Sequence, residues 1–374
     1  MIKDYMAVVN LSENENDIRS LTTNRPIASI PIASRFRVVD FILSNIVNSG
    51  ITNVGIFSAT NSRSLVDHIG DGKPWDLNRK NDGVFLFNHG LDDLVNYDSR
   101  LLKNNMEYLF RSKSNNVVLT SSYMVANIDI ADVIKNHEKS GCDVTAVYTE
   151  VEDADKNFQN CYTFDIDEKS GRVSDVGKNI GFSKKANICM EIFILKKELL
   201  INLLYKNAHS LKHSNLYNAI FDQLSEISVN AYRFEGYVAC INSISSYYHA
   251  NMDMIKFDVK DELFGNERTI YTKIKDEPPT IYVKGSKAAN SLIADGCIIK
   301  GSVKNSVIGR FVQIDEGAEV ENCILLQNVH VGKGAKLNNV IVDKNVTIKE
   351  GAELKGNAAF PLVIEKKNLI SGIQ

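Results

Sequence analysis

A 17-residue period near the end of the chain constrains its fold more than any other feature. Ile308, Leu325 and Val342 lie 17 residues apart, as do Ile314, Val331 and Ile348, and Val320, Leu337 and Leu354. Val312, Val329 and Val346 keep the same period, and Gly317-Ala318, Gly334-Ala335 and Gly351-Ala352 recur with it. From Ile308 the aliphatic positions Ile314, Val320 and Leu325 follow at steps of six, six and five. This is a hexapeptide rule shortened by one. Three short strands per turn stack inward aliphatics into a ladder, with small residues at the bends. The expected architecture is a parallel β-helix over 285–374. Some β-helix proteins are acyltransferases with a histidine between coils. His330 is the one histidine in these coils, and a surface residue is the competing reading.

Upstream, apolar runs alternate with amphipathic ones. Strands are expected at 6–11, 53–59, 83–87, 116–120 and 143–149, and helices at 35–49, 99–113 and 130–139. Such alternation implies a mainly parallel sheet with helices on both faces, and a ligand site beyond the carboxyl ends of the strands. In the 35–49 helix, Phe36, Val39, Leu43, Ile46 and Val47 form one apolar face. Gly50 stands where a left-handed residue ends a helix. Arg37 and Asp40, polar and at i,i+3, read as a solvated ion pair worth a few tenths of a kcal/mol.

A nucleotide-binding sheet would place glycines after its first strand, because backbone N–H groups must close around phosphates. Here that turn is Ser12-Glu13-Asn14-Glu15-Asn16-Asp17, and no glycine precedes Gly50. Each like-charge contact at about 5 Å costs on the order of 3 kcal/mol at an effective dielectric near 20. An acidic, glycine-free turn therefore opposes a triphosphate, and it reads as an ordinary surface loop.

The formal charge of −3 over 374 residues offers no footprint for nucleic acid. No run of 18 apolar residues occurs, and the first residues lack the layout of a signal peptide. Cys142, Cys161, Cys189, Cys240, Cys297 and Cys323 are scattered without a CxxC or a histidine at ligand spacing. They read as buried, reduced thiols of a cytoplasmic protein. Asn10-Leu11-Ser12 and Asn345-Val346-Thr347 are then sequons in form only. There is no Gly-x-Ser-x-Gly elbow, and Gly70-Asp71-Gly72-Lys73 lacks the strand-to-helix context of a phosphate loop. Lys275-Asp276-Glu277-Pro278-Pro279 is a charged, proline-bearing connector. It divides the chain into an α/β domain, 1–260, a linker, 261–284, and the β-helix.

Thr22, Asn24, Arg25, Pro31, Phe36-Arg37, Asp40-Phe41, Leu43-Ser44-Asn45 and Asn48-Ser49-Gly50 together resemble the start of the ADP-glucose pyrophosphorylases. These glucose-1-phosphate adenylyltransferases are sugar nucleotidyltransferases that make the donor for glycogen. The likeness extends to Asn251-Met252-Asp253, Pro278-Pro279 and the coils. It implies a nucleotidyltransferase-like, Rossmann-like α/β domain followed by a left-handed β-helix.

The resemblance also shows what is missing. Where the family has a Gly-Asp whose aspartate holds magnesium, this chain has Thr120-Ser121-Ser122-Tyr123, leaving Ser122 and Tyr123 as candidates. Asp129 resembles a further family aspartate and also fits a helix cap. The family's later Asp-Val-Gly-Thr becomes Cys240-Ile241-Asn242-Ser243, so Cys240 takes the second metal-binding position. A neutral thiol is no ligand for a hard cation. A family lysine near the reacting phosphates becomes Ile27. The Glu-Lys-Pro of the sugar-phosphate site becomes Gly177-Lys178-Asn179-Ile180, where Lys178 substitutes if the register slips by one. Met190-Glu191 replaces a Met-Gly of the sugar pocket.

Phosphoryl transfer is nearly all positioning and charge neutralisation, so these losses imply a degenerate catalytic site at Ile27, Ser122, Tyr123 and Cys240. The resemblance then implies a regulatory-type subunit without metal of its own. It would assemble with and activate the magnesium-dependent catalytic subunit, GlgC, as a heterotetramer, with a homo-oligomer as the state alone. Arg25, Arg35, Arg37 and Lys178 are candidates for binding a phosphorylated effector. A self-sufficient adenylyltransferase with an unusual metal site and a β-helix acyltransferase are the alternatives.

Overall fold

The computed structural model describes residues 2–58, 62–88, 102–209, 216–265 and 267–366. Nine strands build the central sheet: β1 (Tyr5–Leu11), β2 (Asn53–Ser58), β3 (Gly83–Asn88), β4 (Asn116–Thr120), β5 (Val144–Val151), β6 (Tyr162–Asp167), β7 (Arg172–Lys178), β8 (Ala186–Lys196) and β9 (Val229–Arg233). Their order is β3-β2-β1-β4-β8-β5-β9-β7-β6. β3, β2, β1 and β4 are mutually parallel. β8 then enters antiparallel to both β4 and β5, and β5 and β9 pair in parallel. The sheet is thus parallel where the chain crosses over through helices, and mixed beyond β4. β1 is buried along its whole length, as its unbroken apolar run requires of a central strand.

Beyond the single-turn helix Arg19–Thr22, the helices among the described residues are α1 (Val38–Asn48), α2 (Arg63–Ile69), α3 (Glu107–Arg111), α4 (Ile130–Ser140), α5 (Lys197–His209), α6 (Leu216–Phe221), α7 (Ile244–Asp253) and α8 (Phe257–Phe264). α1 starts three residues later than its periodicity suggests. Phe36–Arg37 is instead a strand paired antiparallel with Pro31–Ile32, and Arg37 is the N-cap. Gly50, at φ +86°, ends the helix as expected. The expected 99–113 helix is seen as α3 with a short turn before it, and its first residues, like Ala59, lie outside the described residues.

Asp40 is not half of a solvated pair. It is fully buried, accepts the Arg37 backbone N–H at 2.9 Å, and lies 2.6 Å from His68 Nε2. The helix face that periodicity leaves polar is covered here by α2. Burial lowers the His68 pKa, against the raising effect of Asp40.

The β-helix forms three five-stranded parallel sheets. Its first strand is Ile281–Tyr282, paired with Ile298–Ile299. Inside the prism, Ile308, Val312, Ile314, Val320, Leu325, Val331, Leu337 and Val342 are fully or almost fully buried. Asn290, Asn305, Asn322, Asn328, Asn339 and Asn345 all have positive φ. Asparagine tolerates left-handed backbone better than other residues with a side chain, and bonds such as Asn328 Nδ2 to Asn345 Oδ1 (3.0 Å) link successive corners.

One sheet of the prism is apolar on both faces. Val307, Ile324 and Ile341 point outward into a core shared with Ile18, Phe36, Phe41, Tyr247 and Tyr248 of the α/β domain. Tyr248 donates to the Asn322 carbonyl at 2.9 Å, and Arg25 Nη2 reaches Asp343 Oδ1 at 2.7 Å. Among the described residues no helix is long and apolar enough to cross a membrane.

Candidate functional site

The carboxyl ends of β1 and β4, with the middle of β8, enclose a small polar cavity of about 110 Å³. Asn10, Ser12, Glu13, Tyr123, Lys178 and Glu191 are among its walls. This is where an open α/β sheet carries its ligand.

The acidic turn after β1 is not the surface loop its composition suggests. Glu13 folds inward and accepts from both the Ser122 N–H (2.9 Å) and its hydroxyl (2.7 Å). Burial raises its carboxyl to about 7, against the lowering effect of these two bonds. Glu15 Oε1 accepts the Ile27 backbone N–H at 3.1 Å. Both acids therefore bind positions where the resemblance places metal and phosphate contacts.

The remaining positions are closed in the same way. Ser122 is fully buried, and Tyr123 donates its hydroxyl to Glu191 Oε1 at 2.7 Å. Burial, reinforced by Glu191, raises the Tyr123 pKa well above its ordinary value. Cys240 and Cys161 are both buried with their Sγ atoms 3.4 Å apart. Burial and then Cys161 raise the Cys240 pKa, so the thiol stays neutral. Asp129 is a helix cap, accepting from Ala131 and Asp132 N–H of α4. The groups where the resemblance places metal ligands, a hydroxyl and a protonated thiol, do not fit Mg²⁺, which takes oxygen ligands and carboxylates above all. Among the described residues no cluster of three or more histidine, cysteine or acidic side chains has metal-holding geometry.

Glu191 has φ +52°, a conformation in which a glycine is at ease and a side chain is strained. Glu191, where the resemblance places a glycine, thus sits in a glycine-shaped backbone, and its side chain lines the cavity. Lys178 does face this cavity, its Nζ 5.3 Å from the centre of the Tyr162 ring.

The candidate arginines part company. Arg25 is buried, its Nε on the Leu21 carbonyl (2.8 Å) and its Nη2 on Asp343; it joins the domains. Arg35 is exposed over the Phe36 ring, and Arg37 donates to the carbonyls of Ser29 and Ser64. Arg35 and Arg37 line a second cavity, about 150 Å³, between the domains, together with Lys273, Lys275, Arg310 and Lys344. These four cations come from the linker and the coils, and only the charged Lys275 segment was visible as a feature of the sequence. Burial, then Arg37 and Arg25, lower the Lys344 pKa to about 7.

The nucleotidyl transferase family model matches residues 17–256. The chain is 34% identical over 322 residues to the glycogen biosynthesis protein GlgD of Bacillus subtilis, across 84% of this chain and 82% of that one. It belongs to the nucleotidyl transferase family, in its GlgD branch. GlgD of Geobacillus stearothermophilus is 35% identical over 327 residues, 86% of this chain and 84% of its own length. A glucose-1-phosphate adenylyltransferase of Mycoplasma mobile is 27% identical over 331 residues, 85% of each chain. The GlmU-like, C-terminal hexapeptide model matches residues 280–359, the coils of the β-helix.

Proposed function

We propose that this chain is a GlgD-type subunit of glycogen biosynthesis that assembles with the catalytic glucose-1-phosphate adenylyltransferase subunit, GlgC, and raises its activity while having little or none itself. The reading is carried by one observation: Glu13 holds Ser122, one of the two residues where the resemblance places a metal-binding aspartate, through two hydrogen bonds. With Glu15 on Ile27 and Cys161 on Cys240, the cleft is bonded to itself. Opening it to a magnesium–nucleotide would break those contacts and bring a triphosphate against two acids. Energy spent at a subunit contact can favour the active conformation of a partner without chemistry in the helper.

The purified chain, the catalytic subunit and their mixture, each assayed for Mg²⁺-dependent pyrophosphate release from ATP and glucose 1-phosphate, test the proposal. The expected result is a rate in the mixture above the sum of its parts. A rate for this chain alone near that of the catalytic subunit overturns it.

The cation-lined cavity supports an effector role. Arg35 and Arg37, with Lys273, Lys275, Arg310 and Lys344, would hold a phosphorylated effector between the domains. Arg25, committed to Asp343, would set the distance between the walls.

A further inference from the structure

Cys161 and Cys240 stand 79 residues apart in sequence, yet their sulfur atoms lie 3.4 Å from each other. The backbones that carry them are clamped together. Asn242 Nδ2 donates to the Gln159 carbonyl at 2.7 Å, tying a residue just past one cysteine to a residue just before the other. Cys161 donates its N–H to the Phe158 carbonyl (3.2 Å) and accepts the Asn179 N–H (2.8 Å). Cys240 pairs with Met124 in a two-stranded ladder, and the Ile241 N–H holds the Tyr123 carbonyl at 2.8 Å. Main chain on both sides thus keeps the thiols in contact. A disulfide needs its sulfurs at about 2.05 Å, and the remaining gap is shorter than a carbon–sulfur bond.

The pair is not symmetric. Asn160 and Tyr162, on either side of Cys161, wall the polar cavity beyond β1 and β4, as does Asn242. A small oxidant in that cavity is one layer of residues from the Cys161 sulfur. Asn242 Nδ2 also donates to that sulfur at 3.8 Å, and a hydrogen bond to sulfur favours its charged, nucleophilic form. Burial and the contact with Cys161 keep the Cys240 thiol protonated.

We propose that Cys161 and Cys240 form a modification site, closing to a reversible intrachain disulfide under hydrogen peroxide. Cys161 attacks one peroxide oxygen, the O–O bond breaks, and a sulfenic acid and one water result. The Cys240 sulfur then displaces the sulfenic oxygen, which leaves as a second water with the last thiol hydrogen. The thiols give up two electrons and the peroxide takes them. The bond would pin the start of β6 to the Ala239–Cys240 strand across the cleft floor. This site is independent of the assembly proposed above.

Peptide mapping without reductant tests it on the full chain, folded, at a peroxide dose that oxidises the half-buried Cys142. The expected product is a 161–240 cross-link that dithiothreitol reverses. The urea midpoint should rise on oxidation and fall back on reduction, because the bond closes a 79-residue span of the unfolded chain. Cys240→Ala should leave Cys161 as a sulfenic acid that dimedone labels, and Cys161→Ala should leave Cys240 a free thiol. Should either variant fail to fold, the map of the wild type decides alone. Both thiols still open to alkylation after unfolding at that dose would overturn the proposal. So would pairing with any other cysteine, or Cys161 carried on to a sulfinic acid with no cross-link.

Discussion

Arg25 of the α/β domain and Asp343 of the β-helix form a buried ion pair, Nη2 to Oδ1 at 2.7 Å, across 318 residues of sequence. Removing one partner leaves a charge without water or counter-ion. Asp343→Ala should cost about 3–5 kcal/mol in urea denaturation. The double change Arg25→Met with Asp343→Leu should cost much less, because no charge is stranded. Equal losses for the single and the double variant would refute the pair as the cause.

Glu13 gives stability a pH dependence. Its carboxyl titrates near 7 in the folded chain and near 4.5 when unfolded, so the folded state binds the proton more tightly. The contribution is fully present below about 4.5 and is lost as pH rises through about 7. Relative to Glu13→Gln, the wild type should lose a few kcal/mol at most between pH 5 and pH 8. Denaturant midpoints of the two proteins at both pH values read this directly, and parallel curves would contradict it.

An aspartate at 122, one of the two positions where the resemblance places a metal-binding carboxylate, should harm the protein. Ser122→Asp sets a carboxylate against Glu13 in a buried site, a loss on the order of 3 kcal/mol. Adding Glu13→Gln should recover much of it. If Ser122→Asp alone melts at the wild-type temperature, the bond between Glu13 and residue 122 is not as described.

The interdomain cavity should favour anions, and more so in acid. Lys344, at about 7, is charged at pH 6 and mostly neutral at pH 8. Sulfate, which does not titrate there, should bind several-fold more tightly at pH 6. Lys344→Met should flatten the difference, and Arg35→Ala should weaken sugar-phosphate binding at both pH values. Calorimetric titrations that show no change in either variant would remove the effector role.

The prism was legible because its period is a local property: every 17 residues the same three inward positions return. The sheet alternation was legible for the same reason. What sequence could not show was which distant group a polar residue would meet. Glu13 lies 109 residues from Ser122, and Asp40 meets His68 from another helix. Their charges read as solvated because burial comes from tertiary partners that periodicity does not see. The 36–37 strand was missed because its pairing with 31–32 overrides the helical spacing of Phe36. The cleft cations were missed because they converge from the linker and two separate coils.

Residue 191 keeps a left-handed bend while bearing a glutamate. A glycine could occupy that bend with no movement of the main chain. Cutting Glu191 back to glycine would thus take away the carboxylate that Tyr123 holds and deepen the hollow beyond β4, leaving the strands where they stand.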